Sequence, residues 1–275
     1  MGEEAVPALV LDQEDLQVWV LPCGRITAHP AHVEFAGPQL LALPAIVMSR
    51  RWVPWMPINA VLVRHRAGTV LLDTGERSDR PRDWYACGYP GNTWFYGQHL
   101  RMEVAPHETV TARLREINVD PAEIEEVVLT HLHGDHAGGL PELRPRRVLI
   151  GAGARGARGA VPCRLDGQTV VELDGPQRPG QELQVLDPDG AVRVVALPGH
   201  APGHLGLELR KGEHCIVVAG DAAFSQQQIT VAAPPGIASD RPANRTTQRY
   251  LRRMRDAGAH VLLAHETHPR TSGDG

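Results

Sequence analysis

Residues 126–139, EVVLTHLHGDHAGG, place His131, His133, Asp135 and His136 within six positions. Neutral imidazole and carboxylate are the donors that zinc and neighbouring divalent ions take, and a loop leaving a strand end can aim alternate side chains at two nearby points. The apolar run at 127–130 supplies such a strand, and the pair Gly138 and Gly139 lets a helix begin close by. This stretch offers at most four donors, so a site for two ions needs more from elsewhere. Three positions qualify, each just past a short apolar run: His200 after 192–197, Asp221 after 215–219 and His265 after 261–264. Donors that recur at strand ends are expected to converge on one edge of a rigid sheet. Two ions held there would activate water and polarise a carbonyl or phosphoryl oxygen, so hydrolysis is the natural reaction, with Asp135 as general base and then general acid. No serine or cysteine nucleophile is required.

The elements that must position these groups are legible as apolar runs punctuated by glycine and proline. Strands are predicted at 17–21, 60–63, 70–72, 127–129, 147–150, 192–197, 205–209, 215–219 and 261–264. Helical spacing of Val110, Leu114 and Ile117 predicts a helix over 108–117, and Pro121 opens a second, short one. A third spans 244–257, with Tyr250, Leu251 and Met254 inward and Arg245, Arg249, Arg252 and Arg253 on a solvated face. Hairpins alternating with occasional helices describe a mixed α/β chain, not a simple βαβ repeat. The glycine-rich segment GAGARGARGA at 151–160 lacks the residues of a phosphate-binding loop and reads as a flexible connection. Eight of the twelve aromatic residues fall between 52 and 96: Trp52, Trp55, Trp84, Tyr85, Tyr89, Trp94, Phe95 and Tyr96. Core packing and a pocket wall are both open to them.

The 275 residues leave room for two domains or for one layered α/β domain. A formal charge of −4 provides no positive field to gather nucleic acid or an anionic membrane, so neither is expected as a partner. The cysteines Cys23, Cys87, Cys163 and Cys215 form no close pair and are expected to be reduced and structural. The start MGEEAV is acidic where an export signal is basic, and the longest apolar stretch, 40–48, is interrupted by Pro44. A cytoplasmic enzyme acting on a small molecule is the expectation.

HLHGDH at 131–136, followed by His200, Asp221 and His265 and preceded by LLDTG at 71–75, resembles the metallo-β-lactamase superfamily over about residues 59–268. The resemblance implies a four-layer αββα sandwich with mixed sheets, a single domain over 1–275. Residues 1–56 would form an N-terminal extension, and 76–106 an aromatic-rich insertion near the substrate site. It also implies two divalent metal ions, zinc in the first instance with iron, manganese or cobalt accepted by the same donors. His131, His133 and His200 would hold one, Asp135, His136 and His265 the other, and Asp221 would bridge them. Asp73 and His204 would support these ligands from behind.

Within that superfamily the chain is most similar to the N-acyl homoserine lactonase branch, which opens a lactone at its ester carbonyl. The likeness rests on VLPCGRITAH at 20–29, PINAVLV at 57–63, the aromatic insertion and HETVTARLREINVDPAEIEEVVLTHLHGDHAGG. The implied reaction is attack by a metal-bridging hydroxide on a lactone or related ester. Substrate contacts are expected from Phe224, Trp84, Tyr85, Tyr89, Trp94 and Tyr96. Phe224 stands where those lactonases commonly place a tyrosine, so another donor such as Tyr85, Tyr89 or Tyr96 replaces that phenol or the substrate differs. GDAAF, with Glu266 after His265, is similar to glyoxalase II, although the ten residues past His265 fall short of that enzyme's substrate-binding domain. A glyoxalase II-like thioesterase, another hydrolase of the same fold, an iron-dependent dioxygenase and a metal-bearing binding protein remain as alternatives. The exposed aromatics could equally build a homodimer contact.

Overall fold

Apolar residues occupy both faces of most of the central strands, so each sheet must be covered on both sides. A computed structural model of the chain describes residues 5–268, which leaves the acidic start Met1 to Glu4 outside the described residues. One sheet contains β1 (Ala8–Gln13), β2 (Leu16–Ala28), β3 (Met56–His65), β4 (Gly68–Leu72), β5 (Leu100–Glu103), β6 (Glu126–Val128), β7 (Arg147–Gly151) and β8 (Val170–Leu173). Its order is β1-β2-β3-β4-β6-β7-β8, with β5 also paired to β2. The second contains β9 (Gln181–Val185), β10 (Val192–Ala196), β11 (Leu205–Lys211), β12 (His214–Val218) and β13 (His260–Leu262), in the order β13-β12-β11-β10-β9. Strands β4, β6, β7 and β8 pair in parallel, as do β12 and β13, and the remaining pairs are antiparallel.

The helices are α1 (Pro30–Val33), α2 (Ala42–Met48), α3 (Asn92–His99), α4 (Val110–Glu116), α5 (Gly134–Ala137), α6 (Gln226–Val231) and α7 (Arg241–Asp256). Strand periodicity sorts the side chains into three cores. Val61, Val63, Val70, Leu72 and Val128 pack with Val192, Val194, Leu205, Leu207, Ile216 and Val218 between the sheets. Their neighbours Ala60, Leu62, Leu71 and Val127 point the other way, against Val110 and Leu114 of α4. Val195, Val217 and Val261 meet Ile229 of α6 and Leu251 of α7 beyond the second sheet. The layers are therefore helix, sheet, sheet and helix, the expected sandwich. All nine predicted strands are present, and β1, β5, β8 and β9 are additional.

Two expectations are corrected. Cys87 and Cys163 are not both free thiols: the fold brings their α-carbons to 6.0 Å and a disulfide joins them, 76 residues apart in sequence. Only Cys23 and Cys215 remain free, so cysteine usage no longer argues for a reducing compartment. Separately, no helix among the described residues is long and apolar enough to cross a membrane. The segment 151–160 is not a loose connection either. Ala154, Ala157 and Ala160 are buried in the same core that receives α4, and Gly151 lies so close to Gly203 that a methyl group there would strike its carbonyl.

The insertion after β4 is built around a buried charge. Glu76 is fully shielded from solvent and accepts hydrogen bonds from Tyr85 Oη at 2.7 Å, Trp84 Nε1 at 2.9 Å and the Arg77 amide at 2.9 Å. Burial nonetheless pushes its carboxyl up to about 7, the hydrogen bonds opposing that rise only in part.

Two outcomes test this packing. Gly151→Ala should lower the unfolding free energy by about 1–3 kcal/mol in urea titrations, because rigid backbone must move to admit the methyl; an unchanged midpoint would contradict the close approach. For Glu76, the folded state holds its proton above the pH at which the unfolded chain releases it. Wild-type stability should therefore fall relative to Glu76→Gln as pH rises from about 4.5 to about 7, by on the order of 3 kcal/mol, and then level off. A pH-independent difference between the two proteins would show that Glu76 is not held this way.

Candidate metal centre

The strands end where the chemistry-bearing residues begin. His131 to His136 follow β6, His200 follows β10, Asp221 follows β12 and His265 follows β13, while Asp73 follows β4. Parallel pairing of β4 with β6 sends their C-terminal ends to one edge of the first sheet, and β12 and β13 do the same in the second. At that edge the sheets are hydrogen-bonded to each other: the Leu205 amide donates to the Thr130 carbonyl at 2.8 Å, and the Asn59 amide to the Ala264 carbonyl at 3.0 Å. Two donor sets result, His131, His133, His200 and Asp221 in one, Asp135, His136 and His265 in the other. Within each set the candidate ligand atoms lie within 4.8 Å of one another.

The outer nitrogen of most rings is spoken for, which fixes the inner one. His133 Nε2 donates to the Arg158 carbonyl at 2.9 Å, His265 Nδ1 to the Pro57 carbonyl at 2.8 Å and His136 Nδ1 to Asp73 at 2.8 Å. Thr130 Oγ1, whose own proton goes to Asp73, accepts from His131 Nδ1 at 3.0 Å. With those protons outside, lone pairs face inward. His131 Nε2 stands 2.8 Å from His133 Nδ1 and 3.2 Å from His200 Nε2. Lone pairs that close repel unless a cation lies among them. His136 Nε2 and Asp221 Oδ1, buried 3.3 Å apart, likewise make no hydrogen bond. The donor set thus fits divalent ions.

Electrostatics divides the two sets. Burial drives His131 and His200 well below the usual imidazole range and lowers His133, so all three are neutral donors. Burial also opposes charge on His136 and His265, but Asp221 and Asp135 outweigh it, holding His136 well above its ordinary value and His265 up at about 10. Asp135 and Asp221 are in turn held below the carboxylate range: desolvation is overcome by His136 and His265. This second set demands positive charge, from protons or from a metal. Asp221 reaches both sets, with Oδ2 3.5 Å from His200 Nε2 and Oδ1 3.3 Å from both His136 Nε2 and His265 Nε2.

Other residues singled out by sequence are dispersed around this centre. Asp73, in the left-handed region with φ 59°, accepts from Thr130 and His136. His204 Nε2 accepts the Asp221 amide at 3.3 Å, so its lone pair supports the Asp221 backbone and does not join either donor set. Phe224 stacks on His265 at 5.1 Å. Trp84 gives its indole proton to Glu76 and packs against the guanidiniums of Arg77 and Arg164. Tyr85 and Tyr96 stack on each other at 4.0 Å and line a cavity of about 440 Å³ with Trp55, Arg80 and Arg101. Tyr89 and Trp94 are exposed. Sequence reasoning missed Glu76, Thr130 and the carbonyls of Pro57 and Arg158. Glu76 stands directly after the LLDTG phrase, but the charged run that follows it, Arg77, Asp79, Arg80, Arg82 and Asp83, hides it among surface-like residues.

Residues 53–265 match the family model described as the metallo-beta-lactamase superfamily. The chain is similar to the N-acyl homoserine lactonase AttM of Azorhizobium caulinodans, 26% identical over 77% of this chain and 82% of that one. Among solved structures, it resembles an N-acyl homoserine lactone hydrolase with N-hexanoyl-L-homoserine bound at the catalytic metal center: TM-score 0.70, 16% identity, covering 90% of this chain and 92% of the other. It is also similar to AidC, a dizinc quorum-quenching lactonase, with TM-score 0.62, 15% identity and coverage of 99% and 97%. With a family match over most of its length, and the donors at the edge where the two sheets meet, this chain belongs to the metallo-beta-lactamase superfamily.

Proposed function

We propose that the chain is a dinuclear metal-dependent hydrolase that opens N-acyl homoserine lactones or closely related lactones. The observation that carries this reading is the pair of donor sets sharing Asp221, with ring nitrogens turned inward by acceptors behind them. His131 Nε2, His133 Nδ1 and His200 Nε2 would hold one ion, and Asp135, His136 Nε2 and His265 Nε2 the other, with one oxygen of Asp221 directed to each. When bound, such ions bring a water's pKa toward neutrality and polarise the scissile carbonyl.

The chain's own residues do the rest. Asp135 Oδ2 faces His265 at 3.4 Å and His136 at 3.6 Å, leaving the other oxygen to take a proton from the attacking water. The same carboxyl then returns that proton to the alkoxide released when the ring C–O bond breaks. Phe224, buried and stacked on His265, sets an apolar ring against this donor. The lactone substrate is supported by the likeness to the two lactonases across most of each chain.

Metal analysis of the purified protein should give about two divalent ions per chain, zinc foremost, and His133→Ala should lower kcat by about 100-fold or more. Removal of the ions by chelation should abolish turnover and lower Tm, with both restored by zinc. A panel of acyl homoserine lactones, glutathione thioesters, β-lactams and phosphodiesters decides the substrate: fastest acid release from the lactones is expected. A preference for thioesters would favour the glyoxalase II-like alternative, and two bound ions with no turnover would favour a binding protein. Full activity in the His133→Ala variant would end the dinuclear reading.

The aromatic residues separate by role as well. Trp94→Ala should raise KM while leaving metal content and unfolding within about 0.5 kcal/mol of wild type, as for an exposed side chain. Unchanged kinetics with every lactone would remove Trp94 from the substrate path.

A further inference from the structure

We propose that Tyr96 is a positioning residue for His133, acting through its phenol on the loop that carries the metal donors; the inference rests on the dinuclear reading above. His133 is the only member of the two donor sets that is not fully buried, so packing alone constrains it least. Its ring is instead held from outside, by the Arg158 carbonyl on Nε2. Both ends of that bracket are joined by one hydroxyl. Tyr96 Oη donates to the Gly159 carbonyl at 2.9 Å, next to Arg158, and accepts from the Gly134 amide at 2.9 Å, next to His133.

The local chain is shaped for this bridge. At Gly134 a side chain would collide with the Tyr85 ring and press on that of Tyr96. Gly159, at φ +79°, takes a conformation that disfavours other residues, and a β-carbon there would lie 2.9 Å from the His133 ring. The 158–163 segment is tied to the tyrosine's own neighbourhood twice more, by Asn92 Nδ2 donating to the Ala160 carbonyl at 2.8 Å and by the Cys87–Cys163 disulfide. Tyr96 itself is 6% exposed and stacked flat on Tyr85, whose hydroxyl is anchored on Glu76. Its one proton goes to Gly159 and a lone pair to Gly134. The phenol is thereby committed to the protein and not to a substrate.

Tyr96→Phe keeps the stacked ring and removes only the bridge. The test uses the full chain loaded with Co²⁺, whose visible spectrum reports ligand geometry. The variant should show an altered cobalt spectrum, lose metal to a chelator about 10- to 100-fold faster and lose kcat by a similar factor, with KM unchanged. Tyr85→Phe, which loosens the anchor on Glu76 without touching Gly134, should leave the cobalt spectrum as in wild type. A Tyr96→Phe protein with wild-type spectrum, chelation rate and kcat would overturn the proposal. So would a raised KM with an unchanged spectrum, which would make Tyr96 a substrate contact, or equal spectral changes in both variants, which would mean general loosening. Wild-type protein that takes up no Co²⁺ would instead overturn the metal reading beneath it.

Discussion

Four buried imidazoles, a fifth half-buried one and two buried carboxylates share one sheet edge, and such a group is tolerable only with positive charge among its members. The arrangement of protons makes that constraint specific. Because Arg158, Pro57, Asp73 and Thr130 each take a proton from an outer ring nitrogen, the inner nitrogens of four rings cannot satisfy one another. Hydrogen bonding across the cluster would require those outer partners to be given up. The backbone and side chains behind the site therefore determine what can occupy it, more than the donors themselves do.

Those outer partners come from separate parts of the chain, and the sandwich brings them together. Pro57 lies at the start of β3, Asp73 just past β4, Thr130 past β6 and Arg158 in the packed segment after β7. Thr130 illustrates the economy of the arrangement. Its carbonyl accepts from Leu205 of the second sheet, while its hydroxyl links Asp73 to His131. One residue thus joins the two sheets and orients a donor, so displacement of either sheet edge would disturb the site. The continuous core between the sheets, from Val61 and Val128 to Leu207 and Val218, is what resists such displacement.

Most of this was legible in the sequence wherever a strand is buried on both faces. Runs such as 127–129 and 215–219 are apolar throughout, and 192–197 is broken only by Arg193, because successive side chains enter different cores, and each run leads to a donor. Three of the four overlooked strands are different in kind: β5, β8 and β9 have mostly half-exposed or exposed residues, so polar side chains interrupt the pattern on which recognition depends, whereas β1, with Ala8, Val10 and Leu11 buried, carried an apolar run that was passed over. The disulfide was illegible because spacing carries no information about two cysteines 76 residues apart. GAGARGARGA misled for a related reason. Ala154, Ala157 and Ala160 are buried in the core and Gly151 abuts Gly203, yet small residues also compose flexible linkers.

The concentration of aromatics between 52 and 96 suggested a wall for substrate, and the hydrogen-bonding groups argue for dividing it. A tyrosine or tryptophan recognises a polar ligand with its hydroxyl or indole nitrogen, and a group already bonded inside the protein must break that bond first. Trp84 and Tyr85 are bonded to Glu76, and Tyr96 to Gly134 and Gly159. Breaking these contacts would leave a buried carboxylate or a loop amide unsatisfied, a penalty of about 1–3 kcal/mol for each group. Exposed Tyr89 and Trp94 carry no such penalty. Recognition by this segment is thus cheapest at its outer residues, and the inner ones serve better as a rigid frame than as partners for a ligand.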